Sequence, residues 1–190
     1  MMKLVKIVSL CAAIFSAGAA LAGPLKLEPA NPQPSGLKSG LAVKYALPEK
    51  QIKTLAQADE ALKSAKRGPA LKGLDYWDTE EGGETLTSGK AWWVAAQING
   101  YVRFDAPGVY TIDFLVNDGL RMFIGGKKIT VWDQRTPCEP IPAVEVEVPV
   151  AGWYPLSAVY FQNQGTACLH MRAAPKGSAP DWMPDAAFGH

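Results

Sequence analysis

From Trp92 onward, apolar and polar residues alternate with a period of two, and this alternation continues almost to the end of the chain. Successive side chains of a β-strand point to opposite faces, so each such segment offers one face to a core and one to solvent. The pattern occurs in residues 109–116, 143–148, 153–160 and 166–172. Turn residues separate these short segments and no crossover helices intervene, so the sequence predicts an all-β fold, an antiparallel β-sandwich.

One short helix is expected near the N-terminus. Thr54 followed three positions later by Gln57 matches a capping box, which marks a helix start. Apolar residues follow at helical spacing until Gly68 and Pro69 stop the run, namely Leu55, Ala58, Ala61, Leu62 and Ala65. This stripe is narrow and rich in alanine, so the helix is expected to pack against the β-sandwich.

Residues 1–22 have the features of a cleaved signal peptide. Lys3 and Lys6 precede an apolar run, and a small-x-small pattern ends at Ala22. Cys11 raises a lipoprotein alternative, but a branched residue precedes it where a small one is usual. We therefore expect a secreted or periplasmic protein.

The remaining chain divides by composition into three parts. Residues 23–40 are rich in Pro and Gly and are interpreted as a leader. Residues 41–175 are expected to form a single domain, because one composition runs through them and they suffice for one core. Residues 176–190 are punctuated by Pro and Gly and are expected to be an irregular tail.

The charge of the processed chain is close to neutral. Without Lys3 and Lys6 the 19 basic residues become 17, against 18 acidic residues, and no basic cluster stands out. Nucleic-acid binders concentrate Lys and Arg on one face, so no nucleic-acid partner is expected. No segment after the signal has the eighteen or more apolar residues of a membrane span.

Two cysteines remain after processing, Cys138 and Cys168. An exported protein meets an oxidising compartment, and two cysteines allow a single pairing, so a disulfide is expected. Two buried free thiols are the alternative. No CxxC pair or zinc-type spacing occurs, so neither a redox-active site nor a zinc site is indicated.

Two turn signals lie in the centre of the β region, at 117–119 (Asn-Asp-Gly) and at 125–126 (Gly-Gly). Asp118-Gly119 between two apolar strands is typical of a hairpin turn, because both residues tolerate positive φ. The same pair could also border a binding site. The sequence leaves both interpretations open.

The order of these motifs resembles the PA-fourteen (PA14) family, a β-sandwich domain named for a fragment of anthrax protective antigen. The matching residues are Gly108, Tyr110, Ile112, Asp118, Gly119, Arg121, Ile124, Gly126, Lys127, Gly152, Tyr154 and Pro155. The resemblance covers roughly residues 35–175. It implies a module that acts without catalysis, by binding sugars or contacting proteins.

The resemblance also implies a metal site. The adhesin branch of the family holds calcium with two consecutive aspartates joined by a cis peptide bond and an Asn from a later loop. The corresponding residues here are Asn117, Asp118 and Asn163. An amide at position 117 supplies an oxygen but no charge, so a site with Asp118 as its one carboxylate should bind calcium weakly.

Sugar sites combine flat aromatic rings with amide and carboxylate groups. Trp132 and Asp133 follow the second turn signal, and Asn163 and Gln164 lie on a late loop. With Asn117 and Asp118 these residues are the predicted ligand-binding set. Among the six tryptophans, Trp132 is expected to be the exposed one.

Catalysis finds little support in the sequence. The chain has two histidines, His170 on a predicted strand and His190 at the last position, and no nucleophile-elbow or HExxH motif. We therefore expect no enzyme activity. The predicted function is an exported module that binds carbohydrate or glycoconjugate through loops at one end of the sandwich. The alternative is a structural or protein-interaction domain of the cell envelope that contacts another envelope protein and no small ligand.

Overall fold

The computed structural model describes residues 23–190, so the expected signal peptide lies outside the described residues. The strands are β1 (Leu25–Lys26), β2 (Ala42–Ala46), β3 (Lys66–Arg67), β4 (Asp75–Tyr76), β5 (Val94–Phe104), β6 (Gly108–Asn117), β7 (Gly119–Ile124), β8 (Lys127–Trp132), β9 (Glu139–Pro140), β10 (Val144–Val148), β11 (Gly152–Gln162), β12 (Cys168–Pro175), β13 (Asp181–Trp182) and β14 (Phe188–Gly189). The helices are α1 (Leu55–Leu62) and a 3₁₀ turn at Asp185–Ala187. No helix within residues 23–190 has the length and apolarity needed to cross a membrane.

The strands form two sheets that face each other across one core. The first sheet has the order β1-β10-β6-β12-β13, with β4 on β12 and β9 on β6. The second has the order β3-β2-β5-β11-β7-β8, with β14 on β5. Every pairing is antiparallel except that of β1 with β10. The core includes Phe114 and Met171 from the first sheet and Ile98 and Tyr160 from the second. The predicted β-sandwich is confirmed.

The predicted helix is confirmed, and it lies on the outer face of the second sheet. Leu55 and Ala58 pack against Ala95 and Phe161 in a small cluster separate from the main core. The side chain of Thr54 accepts a hydrogen bond from the Gln57 amide at 3.2 Å, as expected of a helix N-cap. The helix ends at Leu62, one turn before the sequence pattern stops.

The chain does not form a hairpin at 117–119, so the hairpin, one of the two interpretations left open by the sequence, is wrong. β6 pairs with β10 and β12 in the first sheet, whereas β7 pairs with β8 and β11 in the second. The chain therefore crosses from one sheet to the other at Asp118. The segment is held by β11, because the Asp118 amide donates to the Phe161 carbonyl at 3.2 Å.

The second turn signal does form a hairpin, between β7 and β8. Gly125 and Gly126 are its two loop residues, with φ of 53° and 71°. Two consecutive positive φ angles are required in the commonest two-residue hairpin loop, and glycine adopts them without steric cost.

The predicted leader and tail both belong to the folded structure. β1 extends the first sheet and places Leu27 in the core. At the other end, β13 pairs with β12, β14 pairs with β5, and Phe188 is buried. The expectation of an irregular tail is therefore wrong. These strands are two residues long and are paired through their backbones, so no alternating pattern marks them in the sequence.

The predicted disulfide is confirmed, and the free-thiol alternative is wrong. Cys138 and Cys168 are bonded across a sequence separation of 30 residues. Cys168 is the first residue of β12, and Cys138 precedes β9. On the chain-entropy model, closing a loop of this length stabilises the fold by about 3 to 4 kcal/mol. The bridge also fixes the loop before β9 against the start of β12.

Candidate functional site

Three of the predicted residues meet where the chain crosses between the sheets. Asn117 ends β6, Asp118 forms the crossing, and Asn163 follows β11. The backbone N–H of Asn163 donates to Asp118 Oδ2 at 2.8 Å. Residues 45 positions apart in the sequence are thus in direct contact.

Asn117 is held on both its backbone and its side chain. The peptide bond that joins it to Asp118 is cis. Its carbonyl accepts the Tyr160 hydroxyl at 2.5 Å, and its Nδ2 donates to Thr166 Oγ1 at 3.0 Å. Burial raises the pKa of Tyr160 well above its ordinary value, so this hydroxyl stays protonated and remains a donor.

Asp118 is a buried carboxylate without an ion-pair partner. Its side chain is only 5% exposed, and no Lys, Arg or His nitrogen within the described residues lies within 4 Å of it. Burial raises the pKa of Asp118 to about 6, while the amides of Asn163 and Thr136 and the charge of Arg135 act in the opposite direction. The ionised form is therefore unfavourable here unless a cation compensates it.

Asn117 and Asp118 form one wall of an open cleft of about 420 Å³. Its other lining residues are Arg135, Thr136, Pro137, Gln164, Gly165 and Thr166. The 135–137 segment carries no motif that marks it as part of a site. The predicted disulfide carried a usable signal, because bonding Cys138 to Cys168 brings 135–137 close to 164–166.

The loop after β11 is shaped by a buried glutamine. Gln162 Nε2 donates to the carbonyls of Gln164 and Thr166, at 3.0 and 2.6 Å. Gln164 is exposed in the cleft, and its Oε1 accepts a hydrogen bond from Gln51 at 3.2 Å. A side chain that bonds two loop carbonyls fixes the backbone that borders the cleft.

Trp132 is not the exposed tryptophan, so that prediction is wrong. Its ring is half-buried against the core, and its Nε1 donates to Thr136 Oγ1 at 3.1 Å. Trp77 and Trp92 are the more exposed rings, at 58% and 36%. Trp92 lies at the cleft, because its Nε1 donates to the carbonyl of Gly165 at 3.1 Å.

Asp133 lies outside the cleft and holds helix α1 instead. Its Oδ1 accepts the amide of Leu55, the first residue of the helix, at 2.6 Å. A carboxylate at a helix N-terminus satisfies an unpaired donor and interacts favourably with the helix dipole. The structure thus gives Asp133 a stabilising contact away from Asn117, Asp118 and Asn163.

Replacing Asp133 with alanine should therefore lower the free energy of unfolding by about 1 kcal/mol, as the loss of a helix cap does. It should leave calcium and glycan titrations unchanged. Chemical denaturation measures the first effect and calorimetry the second. The adjacent exposed Gln134→Ala variant is the control and should match the wild type; weakened ligand binding in Asp133→Ala would contradict the assignment.

The residues present fit a weak calcium site. Asp118 offers a carboxylate, and Asn117 directs its Nδ2 to Thr166, which leaves its side-chain oxygen available. Asn163 is 4% exposed, and its Oδ1 is buried without a hydrogen-bond partner. Calcium prefers oxygen ligands and gains affinity from carboxylate charge. One carboxylate near the positive Arg135 provides little of that charge.

His170, the histidine on β12, is buried and is not exposed to solvent. Its Nδ1 lies 3.0 Å from Asp75 Oδ1, and its ring packs against Trp77 and Trp182. Burial lowers the pKa of His170, against the opposing effect of Asp75. The Cys138 and Cys168 sulfurs lie within 4.8 Å of one of its ring nitrogens, but both sulfurs are bonded to each other in the disulfide and are not available as metal ligands.

Comparisons with known proteins agree with the fold. The model of the PA14 domain family matches residues 38–182. Among solved structures, the PA14 domain of the MpAFP antifreeze protein aligns with a TM-score of 0.68 and 14% identity over 82% of this chain and 92% of that chain. The PA14 sugar-binding domain of an RTX adhesin has a TM-score of 0.65 and 14% identity over 80% and 98%.

A third similar structure is the epithelial adhesin 9 A domain from Candida glabrata, in complex with Galβ1-4GlcNAc. It aligns with a TM-score of 0.65 and 12% identity over 88% of this chain and 95% of that chain. No curated protein sequence matches the chain significantly. At these low sequence identities, the structural similarity shows a shared fold and nothing further.

Proposed function

The chain belongs to the PA14 domain family, and from that premise we propose that it is an exported, non-catalytic module that binds carbohydrate or glycoconjugate in the cleft at Asp118. The observation that supports it most is the buried Asp118 carboxylate, which forms no ion pair with any residue of the 23–190 range. A cation bound there would compensate its charge and could take hydroxyl oxygens of a sugar as further ligands. The similar structures that bind sugars support this choice of ligand class.

The remaining cleft residues suit a polar ligand. Thr166, Gln164 and Arg135 offer a hydroxyl, an amide and a guanidinium, and Trp92 adds an exposed ring beside Gly165. Sugar hydroxyls need such donors and acceptors, and a pyranose face needs an aromatic surface. The disulfide is consistent with export to an oxidising compartment.

A glycan screen of the protein, run in calcium and again in chelator, tests the proposal. We expect binding of one or more glycans in calcium, loss of that binding in chelator, and quenching or enhancement of tryptophan fluorescence through Trp92. Asp118→Asn should abolish binding, and the matched surface variant Asp105→Asn should retain it. Silence in both conditions would contradict the proposal and favour a module that contacts another envelope protein.

A further inference from the structure

The outer face of the second sheet carries a second, differently built surface. Strand register places Ala42, Asn99, Ser157, Phe123 and Lys128 in one row across β2, β5, β11, β7 and β8. Their neighbours along the strands, such as Ile98 and Met122, point into the core, so this row points outward. The row spans four strand spacings, roughly 19 Å.

A shallow groove follows this row. Two depressions of about 680 and 180 Å³ share Asn99, Ser157 and Phe123. Tyr101 lies on the same groove, and both aromatic rings are half-buried with part of their surface open. The groove therefore combines two ring surfaces with an amide and a hydroxyl.

Basic side chains without ion-pair partners among the described residues flank the groove. Lys44 and Arg67 lie in register on the β2 and β3 side, and Lys128 lies on β8 at the other side. None of the three forms an ion pair within residues 23–190. The outward positions of β2, β5, β11 and β7 hold no acidic side chain.

Two acidic residues at the rim are already paired. Asp59 on α1 forms a bidentate pair with Arg121, with distances of 2.6 and 3.0 Å. Glu28, beside the β7–β8 hairpin, pairs with Lys127 at 2.5 Å. Within residues 23–190, Lys44, Arg67 and Lys128 are therefore three cationic side chains at the groove without a carboxylate partner within 4 Å.

We propose that this groove binds an extended polysaccharide whose sugars carry carboxylates, a polyuronate. The rings of Tyr101 and Phe123 would stack on pyranose faces, and Asn99 and Ser157 would bond hydroxyls. Lys44 and Arg67 on one side and Lys128 on the other attract the carboxylates of successive sugars. The lining from Ala42 to Phe123 spans three strand spacings, roughly 14 Å, which exceeds the length of a single sugar.

This groove is independent of the cleft at Asp118. Helix α1 lies on the same outer face as the groove, where it covers Ala95 and Phe161, and no residue lines both the groove and the cleft. Ser157 and Gln162 are also five residues apart on β11, which corresponds to roughly 17 Å along the strand. The two proposals can therefore fail separately.

Calorimetric titration with oligogalacturonate, in low salt and in 0.5 M salt, tests the groove. The same oligomer with its carboxylates methyl-esterified is the matched ligand control. We expect the acidic oligomer to bind at least tenfold more tightly than the ester, with affinity falling as salt rises. Equal binding of acid and ester, or no binding of either, would overturn the proposal.

Variants separate the groove from general electrostatic attraction. Lys44→Gln with Arg67→Gln should weaken binding at least tenfold, whereas Lys26→Gln with Lys176→Gln, which removes two exposed charges of the first sheet, should change it less than twofold. Asp118→Asn and chelator should have no effect on this binding. Equal losses in the two double variants, or equally tight binding of duplex DNA or phosphatidylglycerol vesicles, would count against a polyuronate site.

Discussion

Replacing Phe161 with alanine should lower the free energy of unfolding by about 3 to 5 kcal/mol, the cost of removing a fully buried phenylalanine ring. The ring packs on α1 through Leu55 and Ala58. It also lies directly over Gly119, where a Cβ would come within 2.1 Å of it. Removing the ring therefore opens a cavity between the helix and the second sheet.

The effect should be local as well as global. Hydrogen exchange of the α1 amides should accelerate in Phe161→Ala more than exchange in β12, because the helix loses its main contact with the sheet. Denaturant unfolding gives the overall change. Phe161→Leu, which keeps much of the volume, should cost less than about 1.5 kcal/mol and remain measurable if the alanine variant fails to fold.

Phe123→Ala is the matched control, because this ring lies on the same face of the sheet but is only half-buried. It should cost less than about 1 kcal/mol and leave α1 exchange unchanged. Equal costs for Phe161→Ala and Phe123→Ala would contradict the view that Phe161 docks the helix.

The alternation of residues identifies strands but does not identify their partners. β6 and β7 adjoin in sequence at Asn117-Asp118-Gly119, yet they belong to different sheets. Both a hairpin and a crossing keep the same apolar positions inside, so periodicity cannot distinguish them. The bonds that distinguish them come from Tyr160 and Phe161, more than forty residues later.

Two of the sequence signals are confirmed, and the hairpin signal at 117–119 is not. The side chain of Thr54 forms the predicted cap, and Cys138 bonds to Cys168. The burial of His170 has no signal in the alternating pattern: the residue lies on the polar face of β12 but is covered by Trp77 from a distant segment and by Trp182 from the adjacent strand β13. The same limitation explains why Trp132 was expected to be exposed.

The sequence predicted which residues form the candidate site, but it did not predict their burial or the charges around them. The family resemblance pointed to Asn117, Asp118 and Asn163, and these three lie together. Two features required the structure, namely the burial of the Asp118 carboxylate and the presence of Arg135 beside it. These features determine how strongly a cation could bind, because they set the net charge around the Asp118 carboxylate.

Replacing Asp118 with asparagine should make the calcium-free protein more stable at neutral pH, by about 3 kcal/mol. The carboxyl has a pKa of about 6 in the folded protein, against an ordinary value of 3.8 for aspartate, and each pH unit of difference corresponds to about 1.4 kcal/mol. Because the folded pKa is raised, the ionised group destabilises the fold above pH 6. The side-chain oxygen of the new asparagine at position 118 can still accept a hydrogen bond from the backbone N–H of Asn163.

The pH dependence follows with a definite sign. As the pH falls from 6 to about 4, protonation of Asp118 in the folded protein relieves the cost, so the stability advantage of Asp118→Asn should shrink towards zero. The comparison is a difference between two proteins, so the contribution of His170 cancels. Denaturant unfolding in chelator at pH 8, 6 and 4 measures the difference in unfolding free energy between the two proteins. The exposed Asp105→Asn variant should match the wild type at each pH.

Calcium should narrow the stability difference between the two proteins. A ligand that binds the folded state alone stabilises it by about 1.4 kcal/mol at ten times its dissociation constant, and by more at higher concentration. The wild type should gain this stability as calcium rises into the millimolar range, and Asp118→Asn should gain none. A variant that is less stable than the wild type in chelator at pH 8, or that responds equally to calcium, would contradict the assignment of Asp118 as a buried, uncompensated ligand.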